Sequence, residues 1–177
     1  MKEIETWDKK VTIRRAVKSD AEALIEYCNI IGGETGFLTF ERGKFGKSIE
    51  EEETFIESIS KRENALFIIA EADGKVVGNL NYSGGLRERT AHTGEFGVSV
   101  LKEYWGHGIG EDLINFLIEW SKSSGIIRKI NLRVRSDNFR GIQLYKRLGF
   151  VEEGISKRDF LIDGAFYDSL LMGLLID

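Results

Sequence analysis

The chain has 177 residues, of which 42% are hydrophobic and 31% charged, and its net charge is −4. At roughly 100–200 residues per domain, residues 1–177 read as a single soluble globular domain with a sizeable core. The composition argues against a disordered chain, and the acidic balance argues against nucleic-acid binding, which needs a basic footprint.

The N-terminal residues are charged (Lys2, Glu3, Glu5, Asp8, Lys9, Lys10), with no apolar run behind them. No stretch reaches ~18 consecutive apolar residues, so neither a signal peptide nor a membrane span is expected, and the protein is expected in the cytoplasm. Residues 11–17 (VTIRRAV) read as a first strand. Ser19 and Asp20 precede AEALIEYCNII, a helix with apolar positions at Ala21, Leu24, Ile25 and Cys28. Cys28 is the one cysteine, which rules out an intrachain disulfide and fits a reducing compartment. Beside Tyr27 it reads as a small buried hydrophobe rather than a nucleophile. With so few histidines and cysteines, no metal site is expected.

Five glycines fall between residues 32 and 47, interleaved with Phe37, Leu38, Phe40 and Phe45, which suggests a mobile, partly apolar segment. Ser48 and Glu51 fit a capping box opening a helix whose apolar face is Ile49, Phe55, Ile56 and Ile59. The carboxylates of residues 50–53 read as a solvated first turn favoured by the helix dipole. ALFIIAEA and KVVGNLNY flank Asp73-Gly74, the signature of a two-residue hairpin.

Residues 92–101 form another strand, with Phe96, Val98 and Val100 on one face and Glu95, Gly97 and Ser99 on the other. EYWGHGIGEDL follows, then a helix to about residue 124 with an apolar stripe of Ile109, Leu113, Phe116, Leu117 and Trp120. KINLRVR (129–135) alternates strictly, with Ile130, Leu132 and Val134 on one side. Asn138 starts a short helix carrying Ile142, Tyr145 and Leu148. A strand begins at residues 150–152, and residues 167–176 supply a last one.

Gly106, Gly108 and Gly110 stand where a strand ends and a helix begins, a recurrent device for binding phosphates. The first amides of a helix lack partners, its dipole favours an anion, and glycine lets the backbone approach closely. Glu111 breaks both the Walker A pattern and the dinucleotide fingerprint, because it stands where each needs a glycine. A shorter loop running directly into the helix remains.

Together, GVSVLKEYWGHGIG and NFRGIQLYKRLGF resemble the Gcn5-related N-acetyltransferase (GNAT) superfamily. The first is similar to its acetyl-coenzyme A pyrophosphate loop, the second to its Asn-x-x-small-x-x-Leu-Tyr-x-x-x-Gly-Phe segment. The likeness runs from Val11 nearly to the end of the chain. It implies an α/β (α+β) fold: a mixed, mostly antiparallel sheet of six to seven strands, splayed between strands 4 and 5 and flanked by about four helices. It implies an N-acetyltransferase that moves the acetyl group of acetyl-coenzyme A to a primary amine, either a small molecule or a peptide N-terminus, with a homodimer as a family-level expectation. A catalytically weak coenzyme A-binding module is the alternative.

Carried onto this sequence, the resemblance gives the pyrophosphate to the amides of Trp105, Gly106, His107, Gly108, Ile109 and Gly110. The backbone of Val98 and Val100 takes the pantetheine arm, Asn138 contacts the cofactor near its reacting end, and Tyr145 stands beside the thioester sulfur as the acid. Glu95 is the candidate base. The family loop commonly opens with Gln or Arg; here Trp105 stands there, and Tyr-Trp-Gly is similar to the branch containing ribosomal-protein N-terminal acetyltransferases. The acceptor is expected against residues 32–47 and 83–91, with Glu34, Glu41 and the 50–53 carboxylates attracting an amine and Phe37, Phe40 and Phe45 forming an apolar wall. Of Arg140, Lys146 and Arg147, one is a candidate for the adenosine 3′-phosphate.

Overall fold

The computed structural model describes residues 2–6 and 9–177, with side chains from residue 10 onward. One sheet of eight strands organises it, in the order β1-β2-β3-β4-β5-β6-β8-β7. The strands are β1 (Lys2–Thr6), β2 (Lys9–Arg15), β3 (Ala65–Ala72), β4 (Lys75–Gly84), β5 (Thr93–Val100), β6 (Lys129–Arg135), β7 (Val151–Ile162) and β8 (Ala165–Leu175). All neighbours are antiparallel except β5 and β6. Seven of the strands match those read from the sequence. The eighth is β1, paired with β2 at the edge of the sheet; KEIET carries no run of apolar alternation that would have announced it.

The four α-helices are α1 (Ala21–Ile31), α2 (Ile49–Ser60), α3 (Ile109–Ser124) and α4 (Phe139–Arg147). α3 packs on β3, β4 and β5, while α1 packs on β4 and α2 on β3. β3 lies between β2 and β4, and Leu66, Ile68, Ile69 and Ala70 are fully buried there. A strand buried on both faces has no need to alternate, which explains the unbroken run ALFIIA. In α3, Ile109, Leu113, Ile114 and Leu117 are buried, and Trp120 meets Tyr82 edge-on at 5.8 Å.

Turn chemistry fixes the hairpins. Asp73 and Gly74 both take positive φ (51° and 75°), as the tightest two-residue hairpin turn requires. Asp163 and Gly164 repeat this between β7 and β8 (49° and 77°). The box at the start of α2 is closed in both directions, Ser48 N–H to Glu51 at 2.8 Å and Glu51 N–H to Ser48 Oγ at 3.2 Å. Asp20 does not cap α1. Its carboxylate takes two hydrogen bonds from Arg14 (2.7 and 2.8 Å) and one from the Val17 amide (2.8 Å), tying the end of β2 to the start of α1.

The carboxylates of residues 50–53 are not all solvated. Glu52 is 2% exposed and pairs with Lys47 at 2.8 Å. Its position on α2 turns it inward, one turn ahead of the buried Ile56.

Among the described residues no helix is long and apolar enough to cross a membrane.

Candidate active site

β5 and β6 are the fourth and fifth strands counted from the one at Val11, and they part as expected. Their parallel register covers Thr93 to Glu95 against Lys129 to Asn131, yet β5 runs on to Val100 and β6 to Arg135. Past the junction, the Leu101 amide bonds the Val77 carbonyl of β4 at 2.9 Å. Alternation along an antiparallel ladder then directs the backbone groups of Glu95, Gly97 and Ser99 to β4. Phe96 still meets β6 at the end of the parallel ladder, and the backbone groups of Val98 and Val100 face the gap. The result is a free strand edge inside the sheet, and a cleft of about 1330 Å³ opens over it. Pockets for single small ligands run to roughly 1,000 Å³, so this one has room for two substrates.

At one end of the cleft lie Trp105, Gly106, Gly108, Ile109 and Gly110; His107 is not part of its lining. Gly106 and Gly108 have φ of 88° and 78°. A Cβ on Gly106 would meet nothing within 4 Å, and one on Gly108 only the Asp112 carboxylate at 3.7 Å. Glycine is required here by conformation rather than by crowding within the fold. The first bond inside α3 runs from the Asp112 amide to the Gly108 carbonyl at 2.9 Å, leaving the amides of Ile109, Gly110 and Glu111 without a helical acceptor. The Trp105 indole N–H donates to the Val100 carbonyl at 2.6 Å, which fastens the loop to the end of β5.

α4 forms the adjoining wall. The Asn138 side-chain oxygen accepts from the Gly141 amide at 3.0 Å, so this residue caps the helix and keeps its NH₂ group for other work. Tyr145 lines the cleft with its ring edge-on to Phe96 and Phe150, each at 6.1 Å. Burial pushes its hydroxyl up to about 12, so the group stays protonated at neutral pH.

The opposite face of β5 meets α1, and the Tyr27 hydroxyl lies 2.8 Å from Ser99 Oγ, which donates to Asn79 at 3.1 Å. Glu95, half exposed in the cleft, stands 3.6 Å from Arg133, whose other nitrogen reaches Asp159 at 3.2 Å. Deeper in, the Lys47 ammonium sits on Glu52 and over the Phe55 ring at 4.0 Å, in a chamber that Phe40, Phe45 and Phe67 also line. Cys28 lines it too, 5% exposed, and burial pushes its thiol up to about 12, so no thiolate is available there.

Three acceptor expectations are corrected. Residues 83–91 do not line the cleft; they turn toward Arg62 and Asn64 beyond the hairpin instead. Glu34 is engaged by the Lys102 amide at 2.7 Å, and neither it nor Glu41 lines the cleft. The carboxylates that do are Glu52, Glu95, Glu111 and Asp159. Segment 32–47 is also held down: Arg135 donates to the Gly36 carbonyl at 2.7 Å, with its guanidinium between the rings of Phe37 (4.6 Å) and Tyr167 (4.3 Å). Sequence reading missed Arg133 and Arg135, although the strict alternation of KINLRVR places both opposite the buried residues.

The model of the acetyltransferase (GNAT) family matches residues 36–150. The L-amino acid N-acetyltransferase AaaT of Escherichia coli (strain K12) is 31% identical over 116 residues, 66% of this chain and 72% of that protein. The spermidine N(1)-acetyltransferase of Vibrio cholerae is 30% identical over 131 residues, 71% of this chain and 72% of that protein. A crystal structure of a GNAT-family acetyltransferase from Streptococcus pneumoniae shares 33% identity at a TM-score of 0.90, covering 94% of this chain and 99% of that one. With the splayed strands, the glycine loop and the capped α4 in place, this chain belongs to the acetyltransferase (GNAT) family.

Proposed function

We propose that the protein is an N-acetyltransferase that passes the acetyl group of acetyl-coenzyme A to a primary amine, a small molecule or a peptide N-terminus, by direct attack in a ternary complex. The carrying observation is the wedge between β5 and β6. It joins, in one cleft, an end where the first amides of α3 lack a helical acceptor to an end built of carboxylates and aromatic rings. The family membership supports the chemistry, and relatives named for L-amino acids and for spermidine support an amine acceptor.

The residues fit the cofactor. The amides from Gly106 to Gly110 suit a diphosphate, whereas the Trp105 amide is already bonded to the Lys102 carbonyl at 3.1 Å. The backbone of Val98 and the Val100 amide suit the amide-bearing pantetheine arm, the Val100 carbonyl being held by the Trp105 indole, and the Asn138 NH₂ group adds a donor. The cofactor brings the acetyl thioester. An acceptor amine with a reference pKa near 10 arrives protonated, and Glu95 takes that proton directly or through a water. The amine lone pair then forms the C–N bond as the C–S bond breaks, and the second proton leaves the nitrogen for the departing thiolate, directly or through water, giving the amide and free coenzyme A. The Val100 amide points into the gap, where it can bond the thioester oxygen as negative charge gathers there. The Tyr145 hydroxyl, at about 12, is a weaker acid than a thiol at about 8.5. It therefore steadies the departing sulfur by donating a hydrogen bond and keeps its proton.

Cys28, the chain's one cysteine, fits a reducing cytoplasm. Exposed Leu161 and Phe166, cross-strand neighbours at the hairpin end of β7 and β8, offer apolar surface for a homodimer. A panel of amines screened for free-thiol release tests the function. Thiol release that depends on an amine and scales with N-acetylated product supports the enzyme. Acetyl-coenzyme A binding with no turnover on any amine instead supports a coenzyme A-binding module.

A further inference from the structure

The glycine loop has an electrostatic problem. Residues 105–110 (WGHGIG) contain no lysine or arginine, and the first turn of α3 carries Glu111 and Asp112. A diphosphate would face two carboxylates with only amides and a helix dipole to hold it. Three basic side chains of α4 stand nearby. Lys146 is paired with Glu152 at 2.8 Å, and Arg147 with Glu111 at 2.6 Å. Arg140 has no carboxylate partner among the described residues. It lines the cleft, and its guanidinium lies over the Trp105 indole, 5.1 Å from the ring centre.

We infer that Arg140 is the cation of the phosphate site and that Trp105 is the platform that aims it; the inference rests on the acetyl-coenzyme A reading above. Three features converge. Arg140 occupies the first turn of α4, where the helix dipole is positive and no acidic residue offsets the charge. A cation placed there is disfavoured by its own helix and calls for an outside anion. The Glu111 carboxylate that could neutralise it is already taken by Arg147. The indole beneath it is fixed at its far edge by the bond to the Val100 carbonyl, so the stacked guanidinium has a rigid support. The aromatic residue that opens this loop thus brings in by stacking a charge that the loop itself lacks. The ligand chemistry is a phosphate of the cofactor, either the diphosphate or the ribose 3′-phosphate.

The test is calorimetric titration of the full chain with coenzyme A, dephospho-coenzyme A and pantetheine. Arg140→Ala should weaken coenzyme A about 10-fold or more, as expected for a lost charge-assisted hydrogen bond, and should leave pantetheine binding unchanged. Lys146→Ala should leave coenzyme A binding unchanged. A loss that persists with dephospho-coenzyme A assigns Arg140 to the diphosphate, and one that vanishes assigns it to the 3′-phosphate. Trp105→Leu should weaken coenzyme A too, and the double variant should lose less than the product of the two single losses, because platform and charge act together. Circular dichroism checks each fold, and Arg140→Gln replaces Arg140→Ala if the latter fails to fold. Wild-type protein that binds coenzyme A while the Arg140 variant binds within about twofold of it overturns this inference alone. Wild-type protein that does not bind coenzyme A overturns the functional reading with it.

Discussion

Gly106 and Gly125 make a matched pair. Both sit in the left-handed region (φ 88° and 69°), and a Cβ on either would meet nothing within 4 Å. Gly106 lines the cleft, whereas Gly125 closes the far end of α3 away from it. Alanine at either position incurs roughly 1–2 kcal/mol of backbone strain. The narrower unfolded ensemble of alanine offsets about 0.4–1 kcal/mol of that. The net loss of at most about 1.6 kcal/mol lowers Tm by no more than about 6 °C in a chain of this size. Both variants should therefore melt alike. They should not bind alike, because the open space beside Gly106 is the space a diphosphate would approach through. Gly106→Ala should raise the Kd for acetyl-coenzyme A about 10-fold or more, and Gly125→Ala should leave it unchanged. Calorimetric titration and thermal melting of the same samples separate the two effects. Equal Kd values for both variants would refute the argument that this loop exists for close approach to an anion.

Tyr145→Phe should lower kcat about 10- to 100-fold, the worth of a hydrogen bond to a charged sulfur, with the Kd for acetyl-coenzyme A unchanged. Its raised pKa, about 12, also predicts that loss of the Tyr145 proton contributes no fall in rate until the pH approaches that value. Glu95→Gln should lower kcat about 10²-fold or more at neutral pH with the Kd for acetyl-coenzyme A unchanged, and an unchanged kcat would take Glu95 out of the base role. Burial alone would raise the Asp20 carboxyl, but the Arg14 guanidinium and the Val17 amide together outweigh it and hold the group below its ordinary range. Its contribution to stability is thus complete above the unfolded pKa of about 3.9 and is lost as pH falls through the lower folded value. Asp20→Asn should cost about 1–2 kcal/mol at neutral pH in denaturant unfolding, discounted for the partial exposure of Arg14, with the difference shrinking in acid.

Most of the fold was legible because local rules and the tertiary fold agree. Asp73-Gly74 predicts a hairpin and makes one; Ser48 and Glu51 predict a cap and close it; KINLRVR predicts a strand and is one to the residue. The second Asp-Gly turn at Asp163 was equally readable and was overlooked among the charges of residues 152–168. β1 was not legible, since its pairing with β2 rests on backbone hydrogen bonding at an edge rather than on an apolar pattern. On the site, the glycine loop and Asn138 carry their chemistry in the backbone and in local caps, which sequence reports well. Glu52 shows the limit. A carboxylate within a run of four looks solvated; its place one turn ahead of Ile56 turns this one inward, and the Lys47 partner that lets it stay there is visible only in the packing. The stack of Arg140 on Trp105 lies equally beyond sequence, because it joins residues 35 positions apart across the mouth of the cleft.

The central claim is that one wedge holds a thioester and an amine together. Single-turnover reaction of the protein with acetyl-coenzyme A carrying a ¹³C-labelled acetyl group, with and without an amine acceptor, tests it most directly. The account predicts free thiol and labelled N-acetyl product in equal amounts, formed only when the amine is present, with no label on the protein. Label retained on the protein, or thiol released at the same rate without an amine, would contradict it.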